Sequence, residues 1–185
     1  MKSLTAGALA LAMMSSANAA ELDYSYLEIG GSYVWVSDFD NGDGVFGIDG
    51  SVLVTENLYI SGGIGGDGDA TSIVIGPGLR LGVSERTDFV AEIGVANIDT
   101  DFGSDTGGAA TIGLRSMVSD SVEVNGGIGA INVFDDTDVS ANLGVVVHIS
   151  DAAALTSGVS VGSDSVRSLS VGVRWNWGGT LRERD

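Results

Sequence analysis

Along most of this chain apolar residues fall at every second position. The clearest run is Ser168–Trp177, where Leu169, Val171, Val173, Trp175 and Trp177 alternate with Ser168, Ser170, Gly172, Arg174 and Asn176. A period of two gives a strand one apolar face and one polar face. The same alternation runs from Tyr24 onward and predicts ten strands. They cover about Tyr24–Val36, Val45–Val54, Leu58–Gly65, Ser72–Val83, Asp88–Ile98, Gly108–Val118, Val122–Val133, Val139–Ile149, Ala154–Val161 and Ser168–Trp177. Leaving out the weakly patterned stretch around Ala154–Arg167 gives eight strands as the alternative.

The connections fall into two sets that alternate along the chain. Thr55–Asn57, Ser84–Thr87, Ser119–Ser121 and Ser150–Ala153 are short and carry little charge. Ser37–Gly44, Gly66–Thr71, Asp99–Gly107, Phe134–Asp138 and Gly162–Ser165 read as loops and hold most of the aspartates. An up-and-down meander sends alternate connections to opposite ends, so one rim should be terse and the other long and acidic. Pro77 interrupts the fourth strand, and since proline cannot donate to a ladder, a β-bulge is expected there.

The polar face decides what kind of sheet this is. It carries Glu28, Asp49, Arg80, Glu92, Arg115, Glu123, His148 and Arg174, whereas the apolar face is almost free of charge. Aliphatic side chains wrapping the outside and ions trapped within describe a cylinder in lipid. In lipid every backbone amide must be paired internally, so an all-strand protein has to close on itself. Strands of ~9–11 residues with this weak alternation suit such a barrel. Aromatic residues fall in two bands: Tyr33, Trp35, Phe46 and Phe134 toward the acidic rim, and Phe89, Trp175 and Trp177 toward the other. Two girdles separated by aliphatic residues fit the two interfaces of a bilayer. The reading is therefore an all-β, antiparallel, up-and-down transmembrane β-barrel, a monomer, over residues 20–177.

In this pattern the chain resembles the small outer-membrane β-barrel proteins of Gram-negative bacteria, the OmpA/OmpX-like, porin-like group. Val171–Trp177 resembles the terminal strand that the barrel-assembly machinery recognises during insertion, with Gly178–Asp185 following as a short periplasmic tail. The resemblance implies contacts with outer-membrane lipid and lipopolysaccharide, and a cell outer membrane location. The N-terminus is consistent with export. Lys2, the apolar run Leu4–Met14 and Ala17-Asn18-Ala19 form the three parts of a cleaved signal peptide over residues 1–19.

Composition narrows the function. Among 185 residues there are 25 acidic and eight basic ones, a net charge of −17, and Lys2 is the one lysine. A phosphate backbone needs a basic footprint, so nucleic acid is not an expected partner. A hydrophobic fraction of 44% argues against a disordered acidic chain. With no cysteine, disulfides do not staple the fold.

Several motifs match in form and fail on context. Gly63-Ile64-Gly65-Gly66-Asp67-Gly68 leads into a strand, where a pyrophosphate site needs a helix N-terminus. Gly158-Val159-Ser160-Val161-Gly162 places Ser160 mid-strand and not at a strained elbow. His148, the one histidine, points inward with no obvious carboxylate to orient it, far from Ser160. Asp38, Asp40 and Asp43 are weak metal candidates, because the loop departs from a calcium-binding pattern. No catalytic residue, metal site or cofactor is expected.

What remains is the inward set Glu28, Asp49, Arg80, Glu92, Arg115, Glu123 and Arg174, expected to form a network of ion pairs in the lumen. Ten strands lie between a lumen filled by side chains and an open channel. The expectation is thus a non-enzymatic barrel, structural or forming a narrow pore for water, ions or very small solutes. The alternative is a surface interaction or adhesion protein acting through its acidic loops. A lipid A-modifying hydrolase ranks below both.

Overall fold

The computed structural model describes residues 24–36 and 42–177. The signal segment 1–19, the tail 178–185 and the loop aspartates Asp38 and Asp40 lie outside the described residues.

Ten antiparallel strands close into a barrel in which β1 pairs with β10 and every other strand pairs with its sequence neighbours. They are β1 (Tyr26–Val36), β2 (Asp43–Leu53), β3 (Leu58–Gly66), β4 (Ala70–Ser84), β5 (Thr87–Thr100), β6 (Gly103–Met117), β7 (Val122–Val133), β8 (Asp136–Ser150), β9 (Ala153–Gly162) and β10 (Val166–Asn176), with one 3-10 turn at Ser163–Ser165. The pair β9–β10 is fully formed, which excludes the eight-strand alternative.

The sheet is inside out relative to a soluble barrel. Ile75, Ile93, Val95, Ile112, Ile128, Leu143, Val159 and Val171 are half exposed or more, all on the outer face. Arg115, Glu123 and Arg174 are buried within. One lumen-facing row shows how steeply the strands tilt. It runs His148, Ala154, Arg174, Glu28, Asp49, Gly63, Val74, Ala96, Gly107 from strand to strand. The row starts beside the β8–β9 turn and ends near the opposite rim, as the tilt of a closed barrel requires.

Two expectations are corrected. Asp99–Gly107 and Phe134–Asp138 are not loops: β5 and β6 pair out to Thr100 and Gly103, and β7 and β8 to Val133 and Asp136. Side chains extend these ladders. Asn97 donates to Ser104, to the Asp105 carbonyl and to Thr106. Asn132 likewise donates to the Asp136 carbonyl and to Thr137. Phe134 and Asp135 take left-handed φ angles of 53° and 59°, the backbone of a two-residue hairpin turn. The Phe134 amide donates to the Asp105 carboxylate, tying this turn to the next hairpin. Two of the acidic connections, β5–β6 and β7–β8, are therefore tight hairpins.

The second correction concerns Pro77. Its pairing with Ile60 on β3 stays in register, and no bulge forms. Toward β5 the ladder skips Gly76 and Pro77 and resumes at Gly78 without a shift. Gly76 absorbs the conflict, since a Cβ there would collide with the Ile93 carbonyl and Gly94. The register shifts lie instead at Gly82/Ser84 and His148/Ser150, beside turns on the opposite rim.

Candidate functional site: the lumen

Parity along each strand sends every second side chain into the barrel, and the lumen divides into two zones. Toward the acidic rim it is apolar. Val34, Val45 and Val166 form one buried cluster, and Val74, Ala96, Ile98, Ala109, Ile131 and Val133 another. Between them on the β8–β10 side, Ser160 and Ser168 are bonded to each other at 2.7 Å.

Toward the short-turn rim the lumen is ionic. The Arg174 Nε and a terminal nitrogen donate to Glu28 Oε2 at 2.9 and 2.8 Å, and Thr156 donates to Glu28 Oε1 at 2.8 Å. This cluster bridges β1, β9 and β10, across the junction that closes the barrel. The Arg174 guanidinium also stacks over the Tyr26 ring, 4.4 Å from its centroid. On the opposite wall Arg115 Nε donates to Glu123 Oε1 at 2.7 Å, with both side chains sealed from solvent. Charged groups are held so far from water only when paired and hydrogen-bonded. A looser pair, Arg80 Nε to Asp88 Oδ2 at 3.7 Å, lies nearer the rim. There Tyr24 donates to Asp88 Oδ2 at 3.1 Å, and Arg80 covers the Tyr24 ring at 4.7 Å.

Of the residues singled out from the sequence, Glu28 and Arg174 come together, as do Arg115 and Glu123. Arg80 meets Asp88, which lies on the same parity as Glu92 but was not among them. Asp49 sits opposite Glu28 in register. Its carboxylate fills the space over Gly63, where a Cβ would overlap it. Glu92 accepts from Ser61 at 3.3 Å. Neither Asp49 nor Glu92 forms an ion pair among the described residues, though the charges of Arg174 and Arg115 act on them. His148 does have a carboxylate beside it, contrary to expectation: Glu123 Oε2 is 4.0 Å from its Nε2. Spacing along one strand could not reveal this, because the contact crosses from β8 to β7.

Sequence reasoning also missed the tyrosines. Tyr24, Tyr26 and Tyr59 are buried inside the ionic end, with the Tyr24 and Tyr59 rings 4.9 Å apart. The signal was available for two of them, since Tyr24 and Tyr26 share the parity of Glu28. The other aromatics behave differently. Tyr33, Phe46, Trp175 and Trp177 project outward with 50%, 77%, 45% and 56% exposure. Trp35 lies against Tyr33, ring centroids 5.9 Å apart, and Phe89 is half-buried. Phe134 occupies the β7–β8 turn. Phe102, in the β5–β6 turn, is an exposed aromatic that the alternation did not flag. Asp43 is the exposed first residue of β2.

Among the described residues the packed interior keeps at least two cavities. The larger, about 70 Å³, is walled by Glu28, Asp49, Arg174, Asn125, Thr156 and Ser170 and by a floor of glycines. Gly172, Gly30, Gly47 and Gly65 face one another on four consecutive strands. Of that row Gly30 and Gly47 line the cavity, with Gly31, Gly144 and Gly158, and its volume is enough for several waters. The smaller cavity, about 20 Å³, lies among Glu92, Thr111, Arg115, Asn142 and the same Asn125. Asn125 is thus the shared wall.

No family model matches the sequence. No curated protein matches it. Among solved structures, the fold is similar to the NanC porin, at 8% identity and a TM-score of 0.52, covering 82% of this chain and 100% of that one. It is similar to an outer-membrane channel from Pseudomonas putida F1, at 8% identity and a TM-score of 0.52, covering 88% and 97%. The β-domain of the Bordetella autotransporter BrkA aligns at 12% identity and a TM-score of 0.50, covering 82% and 98%. At these identities the likeness is one of fold: the chain has the architecture of outer-membrane barrels.

Proposed function

We propose that this chain is a non-enzymatic outer-membrane barrel whose lumen is a narrow path for water, ions or very small solutes, shut at rest. The observation that carries this reading is the polar cavity around Glu28, Asp49 and Arg174, enclosed by a cylinder whose outer face is aliphatic. Barrel neighbours that are porins and channels support it. So does the serine–histidine chemistry, or rather its lack of a shared site: Ser160 is engaged by Ser168, while His148 lies beside Glu123.

On this reading residues 1–19 direct export, and the assembly machinery inserts the barrel through β10. Tyr33, Trp35 and Phe46 then meet lipid and lipopolysaccharide at one interface, and Phe89, Trp175 and Trp177 at the other. The OmpA/OmpX-like grouping belongs to the same proposal. The acidic rim favours one second reading, docking of a partner through the exposed Asp67, Asp69, Asp99, Asp101, Asp135 and Asp136.

Planar-bilayer recording of the purified full chain tests the pore. Discrete conductance steps that change in Arg115→Ala support it. A membrane that stays silent overturns it in favour of a structural or docking role.

A further inference from the structure

The lumen holds more negative charge than its arginines can neutralise. Below the apolar clusters, Arg80, Arg115 and Arg174 point inward against Glu28, Asp49, Asp88, Glu92 and Glu123. Each arginine has taken one carboxylate: Asp88, Glu123 and Glu28 respectively. Asp49 and Glu92 form no ion pair among the described residues, and feel the charges of Arg174 and Arg115, each of which already holds another carboxylate. Glu92 is only 6% exposed, with neutral donors beside it, the Tyr59 and Ser61 hydroxyls. An ionised carboxylate in such a place is costly unless a cation accompanies it or it takes up a proton.

Geometry gives that counter-charge a place. Asp49 stands on the wall of the larger cavity and Glu92 on the wall of the smaller, with Asn125 between the two. Around Asp49 the cavity wall carries the Arg174 guanidinium, held by Glu28, the Asn125 amide, and the oxygens of Glu28, Thr156 and Ser170. Oxygen donors suit a hard cation, and a volume of about 70 Å³ admits a small ion with a few waters but not a bulky organic one.

We infer that the lumen holds a small monovalent cation at Asp49, with Glu92 as the second step of a cation-selective path. The inference rests on the pore reading for its path, and on the charge balance and cavity for its site. Carboxylates lining a constriction select cations by the same electrostatics.

Two measurements separate site from path. In purified full-length protein, the midpoint of heat-modifiable gel mobility is compared in potassium chloride and in N-methyl-D-glucamine chloride at equal ionic strength. The expected result is a higher midpoint in potassium, and loss of that difference in Asp49→Asn. No difference in the native protein, or the same difference in Asp49→Asn, overturns the site. In planar bilayers under a potassium chloride gradient, the expected reversal potential has the sign of cation selectivity and moves toward zero in Asp49→Asn/Glu92→Gln. An anion-selective sign, or a value unmoved by the substitutions, overturns the path. A silent bilayer with the potassium effect intact overturns the pore reading and the path while the site stands. Both substitutions replace a carboxylate that stands outside the ion pairs with a neutral isostere, which favours folding of the variants.

Discussion

Arg115 and Glu123 are joined inside the lumen with their side chains only 1% and 0% exposed, on adjacent strands separated by a short turn. Removing one partner of such a pair leaves a buried, uncompensated charge, whereas removing both need not. Arg115→Met should therefore destabilise the barrel by ~3–5 kcal/mol, and Arg115→Met/Glu123→Leu should recover most of the loss. Urea titration of the refolded protein in detergent, followed by gel mobility, compares the two.

The outer face makes a prediction of opposite sign to a soluble core. Leu143 and Val171 are 55% and 62% exposed on mid-strand positions. Arginine on the lipid face at the bilayer midplane costs ~2–4 kcal/mol. Leu143→Arg and Val171→Arg should each lower stability by that amount in phospholipid vesicles. Unfolding free energies equal to those of the native chain would remove the lipid-facing assignment.

The apolar clusters near the acidic rim predict a gate. Val34, Val45 and Val166 are in mutual contact, with Val36 packed against them. An apolar constriction closes a path by excluding water. Val34→Gly/Val166→Gly should raise single-channel conductance severalfold in planar bilayers, with the sign of the reversal potential unchanged. Conductance equal to that of the native chain would place the constriction elsewhere.

Backbone approach makes a sharper prediction than size alone. A Cβ at Gly76 would run into the β5 backbone beside Pro77, whereas one at Gly44 would meet nothing within 4 Å. Gly76→Ala should cost roughly 1–3 kcal/mol through forced displacement of β4 from β5. Gly44→Ala should leave the unfolding midpoint in urea unchanged, and the pair measured side by side checks both.

The strands were legible because alternation is a local property: each apolar or polar choice in β10 or β5 can be read without knowing its neighbour. The acidic hairpins were not, because an Asp- and Gly-rich stretch reads as loop whether or not it is paired. Asn97 and Asn132 convert two such stretches into ladder through side-chain bonds. Inward direction was legible for Glu28 and Arg174 from parity alone. Which carboxylate meets which arginine was not, since partnership depends on the register across the sheet. Glu28 faces Asp49 on one side and Arg174 on the other, and only the second contact forms an ion pair. Pro77 misled for a related reason. Proline forbids a donor on one side of the strand, and the unbroken pairing with β3 shows that β4 meets this by dropping two rungs toward β5.

Because β1 joins β10 from Tyr26–Asn176 to Val36–Val166, the circle is completed only when the two outermost of the ten strands meet. Until then the chain carries two raw borders, each a row of unanswered amides and carbonyls open to any stray strand. A chain without β10 would consequently keep both borders open. The seal forms only when these two outermost strands meet, so the vulnerability lies in the assembly of the barrel and not in its finished form.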